Sequence, residues 1–84
     1  MKEFAYTITD KLGIHARPAG LLTKLGKQLE SKVFIKKGDK EAEITRIMSV
    51  MSLAVKQGEE VIVRVEGDKA EDFEVVKAFF QENL

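Results

Sequence analysis

The chain contains no cysteine. Disulfides, thiolate metal sites and cysteine nucleophiles are therefore excluded, and the composition suits a reducing compartment. It also lacks net charge, since 14 Lys and Arg balance 14 Asp and Glu. A nucleic-acid binder needs clustered positive charge, so no nucleic acid is expected as a partner. No apolar run approaches the ~18–20 residues that cross a bilayer. Met1–Asp10 alternates and carries Lys2 and Glu3, without the apolar stretch and small-residue cleavage site of a signal peptide. A cytoplasmic protein with no direct membrane insertion is the expectation. One proline and six scattered glycines leave no room for a linker or a repeat. No carboxylate cluster adjoins a histidine, so no metal is expected. Gly13 and Gly20 fit neither phosphate-loop nor dinucleotide spacing, and no cofactor is expected.

What is present is one domain's worth of chain, 84 residues with 44% apolar and 33% charged side chains. A single domain over residues 1–84 is the expectation. Lys2–Thr9 alternates, with Phe4, Tyr6 and Ile8 on one face, and reads as a half-buried strand. Asp10-Lys11-Leu12-Gly13 reads as a turn or loop. From about Ala16 to Leu29 the spacing becomes helical, with Leu21, Leu22, Leu25 and Leu29 on one stripe. Gly20 and Gly26 each weaken that helix by ~1 kcal/mol relative to Ala, which argues for a packing or access reason at both.

Lys32–Lys37 and Glu41–Ile44 alternate around Gly38-Asp39 and predict a hairpin, with Val33, Ile35, Ala42 and Ile44 inward. Ile47–Val55 predicts a helix of about two turns. Glu60–Glu66 turns Val61, Val63 and Val65 inward and Ile62 and Arg64 outward. Asp68 reads as an N-cap with Glu71 as capping-box partner. The final helix, about Lys69–Asn83, places Phe73, Val76, Lys77, Phe80 and Leu84 on one stripe that Val75 and Phe79 widen. The order is β-α-β-β-α-β-α. Strands with one apolar face each, and helices to cover it, predict an α+β two-layer sandwich. Right-handed crossovers narrow the topology to split β-α-β arrangements.

One residue stands out chemically. His15 is the sole histidine and lies where a loop becomes the first helix. Pro18 suits a first helical turn, where a missing N–H costs nothing. Free N–H groups at a helix start, together with the positive end of its dipole, attract anions and keep an imidazole neutral. Arg17 offers a fork of donors to a phosphate. The set is suited to accepting and holding a phosphoryl group; the competing reading, which these residues alone do not displace, is a surface histidine beside an arginine. The second feature is Ile47-Met48-Ser49-Val50-Met51-Ser52-Leu53-Ala54. So short a helix cannot bury all its apolar side chains, so Ile47, Met48 and Met51 are candidates for an exposed docking patch. Ordinary core is the competing reading. Lys24, Lys27, Lys36, Lys37 and Lys40, and the carboxylates Glu41, Glu43, Glu59 and Glu60, read as solvated charges, with docking open to Lys24 and Lys27.

Gly13-Ile14-His15-Ala16-Arg17-Pro18-Ala19 resembles the active-site signature of the HPr family, the histidine-containing phosphocarriers of the phosphoenolpyruvate:sugar phosphotransferase system. Ile47-Met48-Ser49-Val50-Met51-Ser52-Leu53 resembles the family's second signature. The separation, length and element order agree, so the resemblance covers essentially the whole chain. It implies a four-stranded antiparallel sheet under three helices. It implies that His15 accepts a phosphoryl group on Nδ1 from phosphorylated enzyme I, and passes it to the IIA component of a sugar permease. It implies that Arg17 balances the phosphate charge and that the amides of Ala16 and Arg17 bind it. Gly20, Ile47, Met48 and Met51 would dock both partners.

The implied protein is a monomer and not a self-sufficient enzyme. One departure is Arg46, where many Gram-positive relatives carry a serine that HPr kinase phosphorylates; that regulation is expected to be absent. Two other readings remain: a regulatory HPr-like paralogue signalling through its phosphorylation state or serving a non-sugar branch, and a plain interaction module with an incidental histidine.

Overall fold

The computed structural model describes residues 2–84. The elements are β1 (Lys2–Thr7), α1 (Ala16–Gln28), β2 (Lys32–Lys37), β3 (Lys40–Glu43), α2 (Ile47–Ser52), β4 (Glu60–Glu66) and α3 (Ala70–Asn83). The strands form one sheet in the order β1-β4-β2-β3, with every neighbouring pair antiparallel. β1 and β2 therefore run parallel with β4 between them, and β3 and β4 with β2 between them. The two crossovers, through α1 and α2, are the split β-α-β units that the pattern predicts.

One sheet face is apolar because the strand period is two residues. Val33, Ile35, Ala42, Val61, Val63 and Val65 are buried there under Ala19, Leu22, Val50, Val76 and Phe80 of the three helices. Phe80 takes edge-to-face contacts from Phe4 and Tyr6, at 5.8 and 5.6 Å between ring centroids. On the open face Arg64 stacks on Phe34, its guanidinium 4.6 Å from the ring centroid. It donates to Glu41 and Glu66, both at 2.7 Å. Hydrogen bonding to Glu41 raises the Arg64 pKa further.

Several sequence-based expectations shift. β1 stops at Thr7, because the amides of Thr9 and Asp10 turn away to the Leu84 carbonyl. α2 ends at Ser52, not Val55, and Ala54 follows in the left-handed region at φ 52°. The buried stripe of α1 is Pro18, Ala19, Leu22, Thr23 and Gly26, while Leu21 is exposed and Leu25 half-buried. The helix is turned so that its glycine meets the sheet layer: a Cβ on Gly26 would press on Ile44 Cγ1 at 2.7 Å. On α3, Lys77 and Val75 are exposed rather than part of the buried stripe. Glu41, Glu59 and Lys37 are not free solvated charges, because Glu41 pairs with Arg64 and Glu59 with Lys37 at 3.0 Å.

The expected Asp68 cap is also absent. Lys69 is the N-cap of α3 and no side chain caps it. The carboxylate that matters lies four residues later. Asp72 is buried, and its Oδ2 accepts the Ser31 amide at 2.9 Å. Burial pushes the Asp72 carboxyl up, but hydrogen bonding from Ser31 and the Lys69 charge outweigh it and hold it below its ordinary 3.8. This contact ties the start of α3 to the start of β2.

A carboxyl with a lowered folded pKa stabilises above its unfolded value, and that contribution disappears as pH falls through the folded value. Asp72→Ala leaves the Ser31 amide unpaired, so urea unfolding at pH 7 is expected to show a loss of ~1–3 kcal/mol. The variant's stability should then fall less than the wild type's between pH 5 and pH 2. Ala54→Gly removes the Cβ penalty of the left-handed conformation and is expected to add ~1 kcal/mol in the same measurement.

Candidate functional site

The loop from Thr9 to Ile14 delivers His15 to the start of α1. Each of its turns is pinned by a backbone hydrogen bond. Thr9 and Asp10 amides both donate to the Leu84 carbonyl, and Thr9 Oγ1 adds a third donor at 3.0 Å. Gly13 donates to the Asp10 carbonyl at 3.0 Å, and Ile14 to the Val55 carbonyl at 3.0 Å. Gly13 sits at φ 68°, and a Cβ there would collide with the Val55 carbonyl oxygen. Only glycine lets the loop lie against the Val55 strand lead-in.

His15 is the N-cap residue of α1, extended at φ −100° and ψ −175°, and its side chain makes no capping hydrogen bond. Its carbonyl accepts the Ala19 amide at 2.9 Å. Ala16 and Arg17 are the first two helical residues, so the helix supplies no acceptor for their amides. Pro18, third in the helix, has no amide to satisfy. No acidic residue occupies the first turn, so no carboxylate of the helix competes with an anion for these amides. The arrangement leaves two free N–H donors beside an imidazole whose side chain is 32% exposed. Arg17 is exposed next to it. His15, Arg17 and Pro18 line a shallow depression with Asp10, Leu21, Glu82 and Asn83. Asp10 Oδ1 accepts the Leu12 amide at 2.8 Å and lies 3.7 Å from His15 Nε2.

The structure brings α1 and α2 together near this depression. Ile47 is half-buried and lies beside Gly20: its Cδ1 is 3.8 Å from where a Cβ on Gly20 would stand, an ordinary packing distance. Met48 is 75% exposed and Met51 also faces solvent. The α2 segment is thus divided: Val50 and Leu53 enter the core and the methionines stay outside. Sequence reasoning missed Leu12 and Leu21, both exposed. Leu12 looked like a turn residue, and Leu21 fitted a leucine stripe that the helix does not bury. It also missed Asp10 and Glu82, which only the packing of the loop against α3 brings to His15. Arg46 is exposed and is the N-cap of α2. Lys24 and Lys27 are exposed on α1. Among the described residues no group of three His, Asp or Glu side chains converges as metal ligands would, and no helix is long and apolar enough to cross a membrane.

Comparison with known proteins meets this geometry. The family model described as the PTS HPr component phosphorylation site matches residues 2–82. The chain is 37% identical over 83 residues to phosphocarrier protein HPr of Lysinibacillus sphaericus, covering 98% of this chain and 94% of that protein. The solved histidine-containing phosphocarrier protein of Mycoplasma superposes with a TM-score of 0.90 at 33% identity, covering 96% of this chain and 93% of the other. Crh, a catabolite repression protein of Bacillus subtilis whose structure is described as a swapped dimer, superposes at 0.75 with 35% identity, covering 94% and 92%. The chain belongs to the HPr family of the phosphotransferase system, whose members carry phosphate rather than act as catalysts.

Proposed function

We propose that His15 is the phosphoryl acceptor, using Nδ1, and that the protein relays phosphate from phosphorylated enzyme I to the IIA component of sugar permeases. The observation that carries this reading is His15 as N-cap beside the unpaired amides of Ala16 and Arg17. Those two amides and the Arg17 guanidinium are the donors for the three phosphoryl oxygens. They are few and open to solvent, which suits a relay. Phosphohistidine is a high-energy linkage, and a deep charged cage would trap the group that must leave. Transfer of this kind is mostly positioning and electrostatics, and the partners supply the rest.

Docking falls to Gly20, Ile47, Met48 and Met51, with Leu12 and Leu21 widening the apolar surface. Methionines adapt to partners of different shape, which suits a surface used by both donor and acceptor. The protein acts as a monomeric single domain in the cytoplasm, since pairing through this face would compete with docking. A regulatory role is the second reading, supported by likeness to Crh. The intact acceptor geometry around His15 favours the carrier.

The decisive experiment incubates the protein with enzyme I and phosphoenolpyruvate. Acid-labile label is expected on the wild type and none on His15→Ala; label on both would overturn the assignment of His15. Arg17→Ala removes one charge-assisted contact worth ~1.5–3 kcal/mol, so transfer should slow by about 10- to 100-fold. With HPr kinase and ATP no label is expected, because Arg46 occupies the position of the regulatory serine; label on Thr45, Ser49 or Ser52 would contradict this.

A further inference from the structure

We propose that Asp10 is a positioning residue for His15: its carboxylate keeps the ring proton on Nε2 and so leaves Nδ1 as the nitrogen that bonds phosphorus. The proposal deepens the reading of His15 as acceptor and rests on it. Asp10 Oδ1 lies 3.7 Å from His15 Nε2, and both side chains are about two-thirds covered. The carboxylate is not a swinging surface group. Oδ1 accepts the Leu12 amide at 2.8 Å, the Asp10 amide donates to Leu84, and the Asp10 carbonyl accepts Gly13. Three anchors therefore fix the residue on both sides of its side chain.

A neutral imidazole carries one proton, on either nitrogen. An anion facing Nε2 favours the tautomer that points an N–H at it. The distance of 3.7 Å is ion-pair range rather than a formed hydrogen bond. Such contacts shorten when charge develops. The other charged groups facing the depression are Arg17 from α1 and Glu82 from α3. Carboxylates orient histidines in this manner in metal and hydrolase sites.

The transfer then balances without moving a proton. The Nδ1 lone pair forms the new N–P bond as the donor's bond to phosphorus breaks and its electron pair leaves with the donor. The ring, still carrying Nε2–H, gains a positive charge, which faces Asp10. On release the N–P bond breaks, the pair returns to Nδ1, and the leaving group is neutral imidazole. Loss of the Nε2 proton in between would make imidazolate the leaving group, a far poorer one. Asp10 opposes that loss.

The test is ¹⁵N NMR of the His15 ring in the unphosphorylated protein, which reads the tautomers without any transfer assay. The wild type is expected to be predominantly Nε2–H, and a predominantly Nδ1–H ring overturns the proposal with no variant needed. Asp10→Asn keeps the size and an oxygen for the Leu12 amide. It should lower the Nε2–H to Nδ1–H ratio by about two- to fivefold, because two full charges near 4 Å in water interact by only about 1 kcal/mol and a neutral ring facing one anion falls below that. Asp10→Glu should recover part of the ratio, and Glu82→Gln, in the same depression, should leave it within about twofold. An unchanged ratio in Asp10→Asn, or an equal shift in Glu82→Gln, defeats the positioning role. Tautomer shifts as expected without phosphoryl uptake at His15 would overturn the carrier reading and leave the ring orientation standing.

Discussion

His15 stands where it does because the loop before it is tied to carbonyl groups from two distant parts of the chain. Leu84 at the end of α3 accepts the amides of Thr9 and Asp10, and Val55 accepts that of Ile14. Neither acceptor is near the histidine in sequence, and both depend on the sheet being formed. Val55 lies ahead of β4, which pairs with β1 on one side and β2 on the other. Leu84 reaches the loop because Val76 and Phe80 seat α3 on the apolar face. The imidazole of His15 is thus held by the same packing that closes the core.

The division of labour across the molecule follows. One sheet face and one side of each helix are committed to burial. The open face carries Arg64 paired with Glu41 and Glu66 and stacked on Phe34, a partly exposed cluster worth little to stability. The end around His15 is made of what burial leaves over: the first two amides of α1, an exposed arginine, and the methionines of α2 that the short helix cannot turn inward. The opposite end of the helices carries the buried Asp72 and Ser31 contact, so the most burial-dependent polar interaction sits away from the chemistry. That separation leaves the face around His15 open, as the proposed relay requires.

The elements were legible because their signals are local. Alternation in β2, β3 and β4 exposes one apolar face per strand, and the structure buries that face. Helix edges were less legible. Asp68 offers a good capping side chain, yet α3 begins after Lys69, because Asp72 is drawn inward to Ser31 and sets where the first turn must lie. The α1 stripe failed at Leu21 for a related reason. Leucine spacing alone does not say which side of a helix faces the sheet; the close fit of Gly26 on Ile44 decides it.

Read alone, the sequence determines the order of elements, the one-sided strands and a lone histidine followed by Ala-Arg-Pro at a helix start. Those are short-range properties, fixed by side-chain period, by proline's missing N–H and by the unpaired amides at any helix N-terminus. Tertiary structure decides what surrounds the imidazole. Asp10, Arg17, Leu21 and Glu82 come from a loop and two helices. They meet because backbone groups of the loop must find acceptors, and they find them in the carbonyls of Val55 and Leu84.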